Sequence, residues 1–235
     1  MSLKTRYFGG WLHYFDSSTD ETIRALCPVW FKDDFLGDPI ESDHWTVRDT
    51  NGAGEAMIGD APSGVYALAL DATNEIQLAG VDWGNQRTLT LNQKLFFEAR
   101  VRFTVLPTGS VVAVVGLCGD HNAAVNTVAE SIWARLDGSG AITLESDDTV
   151  HEQSLIASGV TLVANQWTVV RIEIDDTAAI RFYIDGARVA SATTFRMDQV
   201  AALALQPVIR IGKESAAASV GTLQVDFITV GQSRS

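Results

Sequence analysis

Residues 165–190 admit one kind of local structure. Val170, Ile172 and Ile174 alternate with Arg171, Glu173 and Asp175, then Ile180, Phe182 and Ile184 alternate with Arg181, Tyr183 and Asp185. Successive side chains of a strand point to opposite faces, so this period of two means strands with one buried face and one wet face. Residues 175–179 form a polar reversal between them. Asp185-Gly186 is a dipeptide that accepts the positive φ angles of a tight hairpin turn. The stretch is an antiparallel meander of three strands.

The same signals recur along the chain. Residues 66–70 and 75–81 flank the turn at 71–74 and read as a hairpin. Residues 95–105 read as the longest strand, with Phe97, Ala99, Val101, Phe103 and Val105 on its buried face and Pro107 ending it. Residues 111–117 are apolar without alternation, as expected of a central strand covered on both faces. A glycine turn at 137–140 joins two further strands, and residues 207–211 and 223–230 supply the last. Only residues 196–204 predict a short helix. Roughly a dozen strands without a fixed repeat define an all-β, two-sheet antiparallel jelly-roll sandwich over residues 29–235. Residues 1–28, with Tyr7, Phe8, Trp11, Tyr14 and Phe15 close together, read as an N-terminal aromatic arm or hairpin.

Charge narrows the partners. Asp and Glu number 29 against 17 Lys and Arg, a net charge of −12, whereas affinity for phosphate backbones comes from Lys and Arg. Neither nucleic acid nor an anionic membrane is expected as a partner. The mean hydropathy of +0.10 fits apolar surface reserved for subunit contacts, and it fits a large β core equally. Cys27 and Cys118 define neither a metal site nor a disulfide framework, and both read as free thiols. The first residues lack the pattern of a signal peptide, and no stretch approaches the roughly 18 apolar residues of a membrane span. The expectation is a chain made and kept soluble.

Trp167 leading into Arg171-Ile172-Glu173-Ile174, then Phe182-Tyr183-Ile184-Asp185-Gly186, resembles the late strands of concanavalin A-like (laminin-G-like) jelly rolls. Asp33-Asp34-Phe35 with Trp45 is similar to their opening. A wider set, including residues 7–19, 31–37, 119–122, 129–133, 137–142 and 145–148, resembles a lectin-fold protein encoded by tailed bacteriophages and prophages beside their head genes. That resemblance covers nearly the whole chain, arm included. It implies a non-enzymatic virion structural protein, a head decoration or cement protein assembled in the host bacterial cytoplasm. Its partners would be the phage coat protein and further copies of itself, as a homo-oligomer. Tyr7, Phe8, Trp11, Tyr14 and Phe15 are then the partner-binding residues, since large aromatics anchor interfaces; the alternative is that they cover one end of the sandwich.

Other chemistry is weighed against this. A glycoside hydrolase needs two carboxylates flanking the scissile bond. Family 16-like glucanases carry Glu-x-Asp-x-x-Glu on one strand, and residues 173–178 and 145–150 both begin that pattern. Ala178 and Val150 stand where the last acid belongs, so no catalytic residue is assigned. Glu98, Arg100, Arg102, Arg171 and Glu173 read as ordinary cross-strand charge pairs. His13, His44, His121 and His151 are widely spaced and read as exposed loop residues. No cofactor is expected; Asp120, Asn122, Asp147 and Asp148 offer oxygen ligands for calcium, without the dense acidic loop of a dedicated site. A carbohydrate-binding module is the competing function, with Trp83 or Trp133 stacking on a sugar ring, although apolar burial accounts for both tryptophans as well.

Overall fold

The computed structural model describes residues 29–36, 43–58, 61–199 and 204–233, together with three N-terminal strands. Those are β1 (Leu3–Phe8), β2 (Trp11–Asp16) and β3 (Thr22–Ala25), which pair antiparallel in a sheet of their own. The side chains of Tyr7, Phe8, Trp11, Tyr14 and Phe15, and all of Cys27, lie outside the described residues.

The body continues with β4 (Val29–Asp33), β5 (Thr46–Thr50), β6 (Gly54–Met57), β7 (Tyr66–Leu70), β8 (Leu78–Asp82), β9 (Leu89–Thr90), β10 (Leu95–Val105) and β11 (Val111–Cys118). After it come β12 (Ser131–Asp137), β13 (Ala141–Asp147), β14 (Glu152–Thr161), β15 (Thr168–Ile174), β16 (Arg181–Ile184), β17 (Ala187–Val189), β18 (Ala204–Lys213) and β19 (Gly221–Gln232). Sheet I runs β17-β16-β15-β10-β19-β7-β6, with β4 also on β19; sheet II runs β14-β13-β12-β11-β18-β8-β5, with β9 beside β18. Every pairing is antiparallel, so the molecule is the expected two-sheet sandwich.

Alternation builds the core. Phe97, Ala99, Val101 and Phe103 from β10 and Ile172, Phe182 and Leu223 from other strands of sheet I meet Val115, Leu117, Ile132, Leu144 and Ile209 of sheet II. In β19 the inward positions change from odd to even after Val225, because a bulge opposite Arg100 and Val101 inserts one residue and flips the parity. The meander is β15, β16 and β17, and its turn residues Asp185 and Gly186 have φ of 49° and 77°. Strand β11 is buried along its whole length and lies between β12 and β18, as its uninterrupted apolar sequence requires.

Four local expectations need correction. Strands β7 and β8 do not form a hairpin, because residues 71–77 carry the chain from sheet I to sheet II. The longest described strand is β19, with 12 residues against 11 in β10. Val105 is exposed, since it follows a second register shift after Phe103. Residues 196–199 are not helical, and 200–203 lie outside the described residues; the helical element described is the 3-10 turn Val125–Thr127.

Pro207 sits inside β18, where a ladder would normally lose a hydrogen bond. It does so at the junction where the partner on one side changes from β9 to β8. No described helix is long and apolar enough to cross a membrane. Phe97 is fully buried between the sheets, so Phe97→Ala should cost about 3–5 kcal/mol through lost burial and a residual cavity. Urea unfolding should show a lower midpoint with an unchanged slope.

Candidate functional site on the outer face of sheet II

The outer face of sheet II is built in rows set by strand register. One row runs Asp82, Val208, Gly116, Trp133, Glu145; the next runs Arg48, Gly80, Arg210, Val114, Arg135, Thr143. Two glycines make room for large neighbours. A Cβ on Gly116 would lie 2.3 Å from the Ile132 carbonyl oxygen and 2.7 Å from Trp133 Cα, and one on Gly80 would lie 2.6 Å from Arg210 Cβ.

The connection from β11 to β12, residues 119–130, crosses this face as a strap. Its Val125 and Val128 pack on Val112, Val114, Cys118, Trp133 and Val208 in a second apolar cluster, separate from the main core. This second layer is why β11 shows no alternation. Arg210 donates to the carbonyls of Asn122 and Ala123 at 2.6 Å each, and Gln206 donates to the Gly119 carbonyl at 2.8 Å. The Asn85 side-chain oxygen accepts from the His121 backbone N–H at 2.8 Å. Burial pushes the Cys118 thiol up to about 12, so it is packing rather than a nucleophile.

Beside the strap lies a cleft of about 310 Å³, lined by Asn126, Trp133, Arg135, Glu145, Asp147 and Glu152 among others. It adjoins a more open recess past Thr127, Ala129 and Thr149. Trp133 Nε1 donates to Glu145 at 2.6 Å, and Arg135 reaches the other Glu145 oxygen at 3.5 Å and Asn126 Oδ1 at 2.6 Å. Arg135 keeps a buried Nε with no partner.

Two histidines are tied to buried aspartates rather than free in loops. His121 Nδ1 lies 3.4 Å from Asp82, which also takes both nitrogens of the Arg48 fork at 3.0 and 3.2 Å. His151 Nδ1 lies 3.2 Å from Asp148 and 3.6 Å from Asp198. Burial opposes ionisation of Asp82, but the hydrogen bonds from His121 and Arg48 outweigh it and hold the carboxyl below its ordinary range. Asp148 is likewise held low against burial, by the backbone N–H groups of His151 and Gln199.

The structure separates the residues that sequence reasoning grouped. Trp133 is 3% exposed, its indole closed in by the strap and its N–H spent on Glu145, so no ring face is presented to a sugar. Trp83 is half-buried against Phe31 and Trp45, with ring centroids 5.2 and 6.5 Å away. Glu173 and Asp175 lie on sheet I, paired with Arg171 and Arg181. The four calcium-ligand candidates are engaged singly: Asp120 with Arg87, Asn122 with the Ala124 N–H, Asp147 with the Thr149 N–H, and Asp148 with three backbone N–H groups. Among the described residues, Asp148, His151 and Asp198 bring donor atoms within 4.8 Å of one another. Arg196 already holds both oxygens of Asp198. Sequence reading missed Glu152, which faces Asp147 across the β13–β14 pairing, and Arg135, whose place opposite Thr143 comes from strand register.

A model of the concanavalin A-like lectin/glucanases superfamily matches residues 74–224. Solved structures share the fold at low identity. A protein of unknown function from Shewanella oneidensis MR-1 has 12% identity and a TM-score of 0.58, over 86% of this chain and 85% of that one. A laminarinase from Flavobacterium sp. UMI-01 has 14% identity and a TM-score of 0.60, over 86% and 99%. The carbohydrate recognition domain of Emp47p has 8% identity and a TM-score of 0.52, over 82% and 96%. No curated protein matches the sequence.

The two buried aspartates set an acid limit on stability. Their carboxyls titrate lower in the folded chain than in the unfolded one, so their stabilisation is complete above the unfolded values and drains as pH falls through the folded ones. The melting temperature should hold from about pH 7 to 5 and fall steeply below about pH 4. Asp148→Asn should melt lower at neutral pH and lose less on acidification.

Proposed function

As a member of the concanavalin A-like lectin/glucanase superfamily, this chain has a fold common to lectins and glycan-cleaving enzymes, and we propose that it serves neither catalysis nor a cofactor. We read it as a structural component of a phage particle that binds coat subunits and further copies of itself. One observation carries the non-catalytic half of this reading: Glu145, the acid that begins the glucanase-like pattern on the cleft wall, has both oxygens engaged by Trp133 and Arg135. A retaining glycosidase needs one carboxylate free to attack and a second free to protonate the leaving group. The strap over the middle of the same face adds to this, because it occupies the space in which a polymer would lie. The assembly half rests on the resemblance to phage head-associated proteins, with the aromatic arm supplying interface anchors.

A chain lacking residues 1–28 should lose co-sedimentation with coat-protein shells while melting as the full chain does. Undiminished occupancy of the truncated chain would overturn the arm's role, and turnover of a β-glucan by the full chain would overturn the non-enzymatic reading.

A second reading, carbohydrate binding without catalysis, is favoured by the cleft itself. It joins the guanidinium of Arg135 with the carboxylates of Asp147 and Glu152, and a sugar hydroxyl accepts from guanidinium and donates to carboxylate. A glycan array should then give hits that Asp147→Ala and Glu152→Ala weaken about tenfold or more, the loss of one to two charge-assisted hydrogen bonds. An array without hits removes this reading.

A further inference from the structure

The turn between β13 and β14 brings one histidine and two aspartates together, and none of the three lines the cleft. Asp148 is fully buried there, while His151 and Asp198 are partly exposed. Asp148 Oδ1 accepts the backbone N–H groups of Val150 at 3.1 Å and His151 at 2.6 Å, and its Oδ2 accepts the Gln199 N–H at 3.0 Å. One carboxylate thus locks the turn and ties it to the segment that leads towards β18. His151 Nδ1 lies 3.2 Å from that same Oδ2 and 3.6 Å from Asp198 Oδ1. Arg196 holds the two oxygens of Asp198 at 3.0 and 2.8 Å.

These spacings are close to those of a coordination sphere. An ion bound tetrahedrally at about 2.0–2.1 Å separates its ligand atoms by about 3.3 Å, and two edges of this triangle already measure 3.2 and 3.6 Å. All three donor atoms lie within 4.8 Å of one another. An imidazole with two carboxylates suits zinc and its neighbours in the first transition row, whereas calcium takes about six to eight oxygens. The carboxylates are also braced as metal ligands usually are, Asp148 by backbone N–H groups and Asp198 by a guanidinium. A carboxylate has about four lone-pair sites, so those contacts leave room for an ion. A separate observation points to the same place. Ser146, two residues before Asp148 and like it fully buried, has an enclosed Oγ without a hydrogen-bond partner, and such an orphan is what an ordered water or ion satisfies.

We propose that Asp148 Oδ2, His151 Nδ1 and Asp198 Oδ1 bind a divalent transition-metal ion, zinc by the chemistry of the set, with a water as fourth ligand on the Ser146 side. Only an N–H can face a carboxylate, so Nδ1 carries a proton in the metal-free chain; on binding that proton leaves to solvent and the ion takes its place. Asp198, partly exposed, closes the third edge. The ion is a structural clip between the β13–β14 turn and residues 196–199, and no reaction is assigned to it. Its three ligands come together only in the folded chain, so binding adds to folding stability. The proposal does not depend on the assembly reading.

Calorimetric titration of the untagged full chain with zinc chloride, after dialysis against a chelator, tests it. One ion per chain should bind, and the melting temperature should rise by about 5–10 °C at about a hundredfold excess of free zinc over Kd, with EDTA reversing the shift. Cobalt(II) in place of zinc should give the strong visible absorption of a four-coordinate ion. His151→Ala and Asp198→Ala leave the backbone hydrogen bonds of Asp148 in place; each should weaken zinc binding about tenfold or more and remove the cobalt spectrum. His44→Ala, outside the cluster, should change neither. Melting each variant in EDTA separates lost binding from a lost fold, and His151→Gln replaces His151→Ala if the latter fails to fold. No binding at about 1 mM zinc, or a calcium-induced shift as large as that of zinc, overturns the proposal. So does binding indifferent to both variants, which marks an adventitious ion only.

Discussion

One buried guanidinium holds the outer face of sheet II together. Arg210 is 4% exposed and projects from the middle of a central strand, where an unsatisfied charge would cost several kcal/mol. Its hydrogen bonds end on two strap carbonyls, with Glu214 at 3.8 Å as its closest counter-charge. Burial pushes its proton affinity down, yet arginine stays charged, so the strap has to stay where it is. Gly80 is the permissive half of this arrangement, since any Cβ there would collide with the arginine stem.

From that anchor the rest of the face follows. A fixed strap keeps Val112, Val114 and Cys118 dry, which makes β11 a two-sided core strand, and it places Asn126 to receive Arg135. Arg135 in turn stands over Glu145. The chemistry available at the cleft is therefore set about two strands away, by residues that never touch it. Glu145 is thereby held between an indole N–H and a guanidinium.

Some of this was legible in the sequence and some was not, for a physical reason. Alternation reports which side of a strand is buried, so the meander, the buried face of β10 as far as Phe103 and the central position of β11 could all be read from local pattern. Alternation says nothing about which sheet a strand joins, and that is why β7 and β8 looked like a hairpin when residues 71–77 carry the chain between sheets. Nor does it say what covers an outward face. Trp133 and Val114 have outward parity and core-like burial because a loop twelve residues long folds back on them. The pairing of Glu152 with Asp147, and of Arg100 and Arg102 with the Trp167 indole, depends on register and on long side chains meeting across strands.

The two outer faces thus differ in kind. On sheet II the polar groups are turned inward against a strap and against one another, and what remains open is a cleft at its flank. On sheet I no described loop intervenes, and the charged ends of Lys32, Arg102 and Arg171 lie over the rings of Phe227, Trp167 and Phe96. Arginine stems and aromatic rings cover apolar surface while their polar ends stay near the solvent. Within the described residues, one outer face is sealed by a loop and the other by its own long side chains.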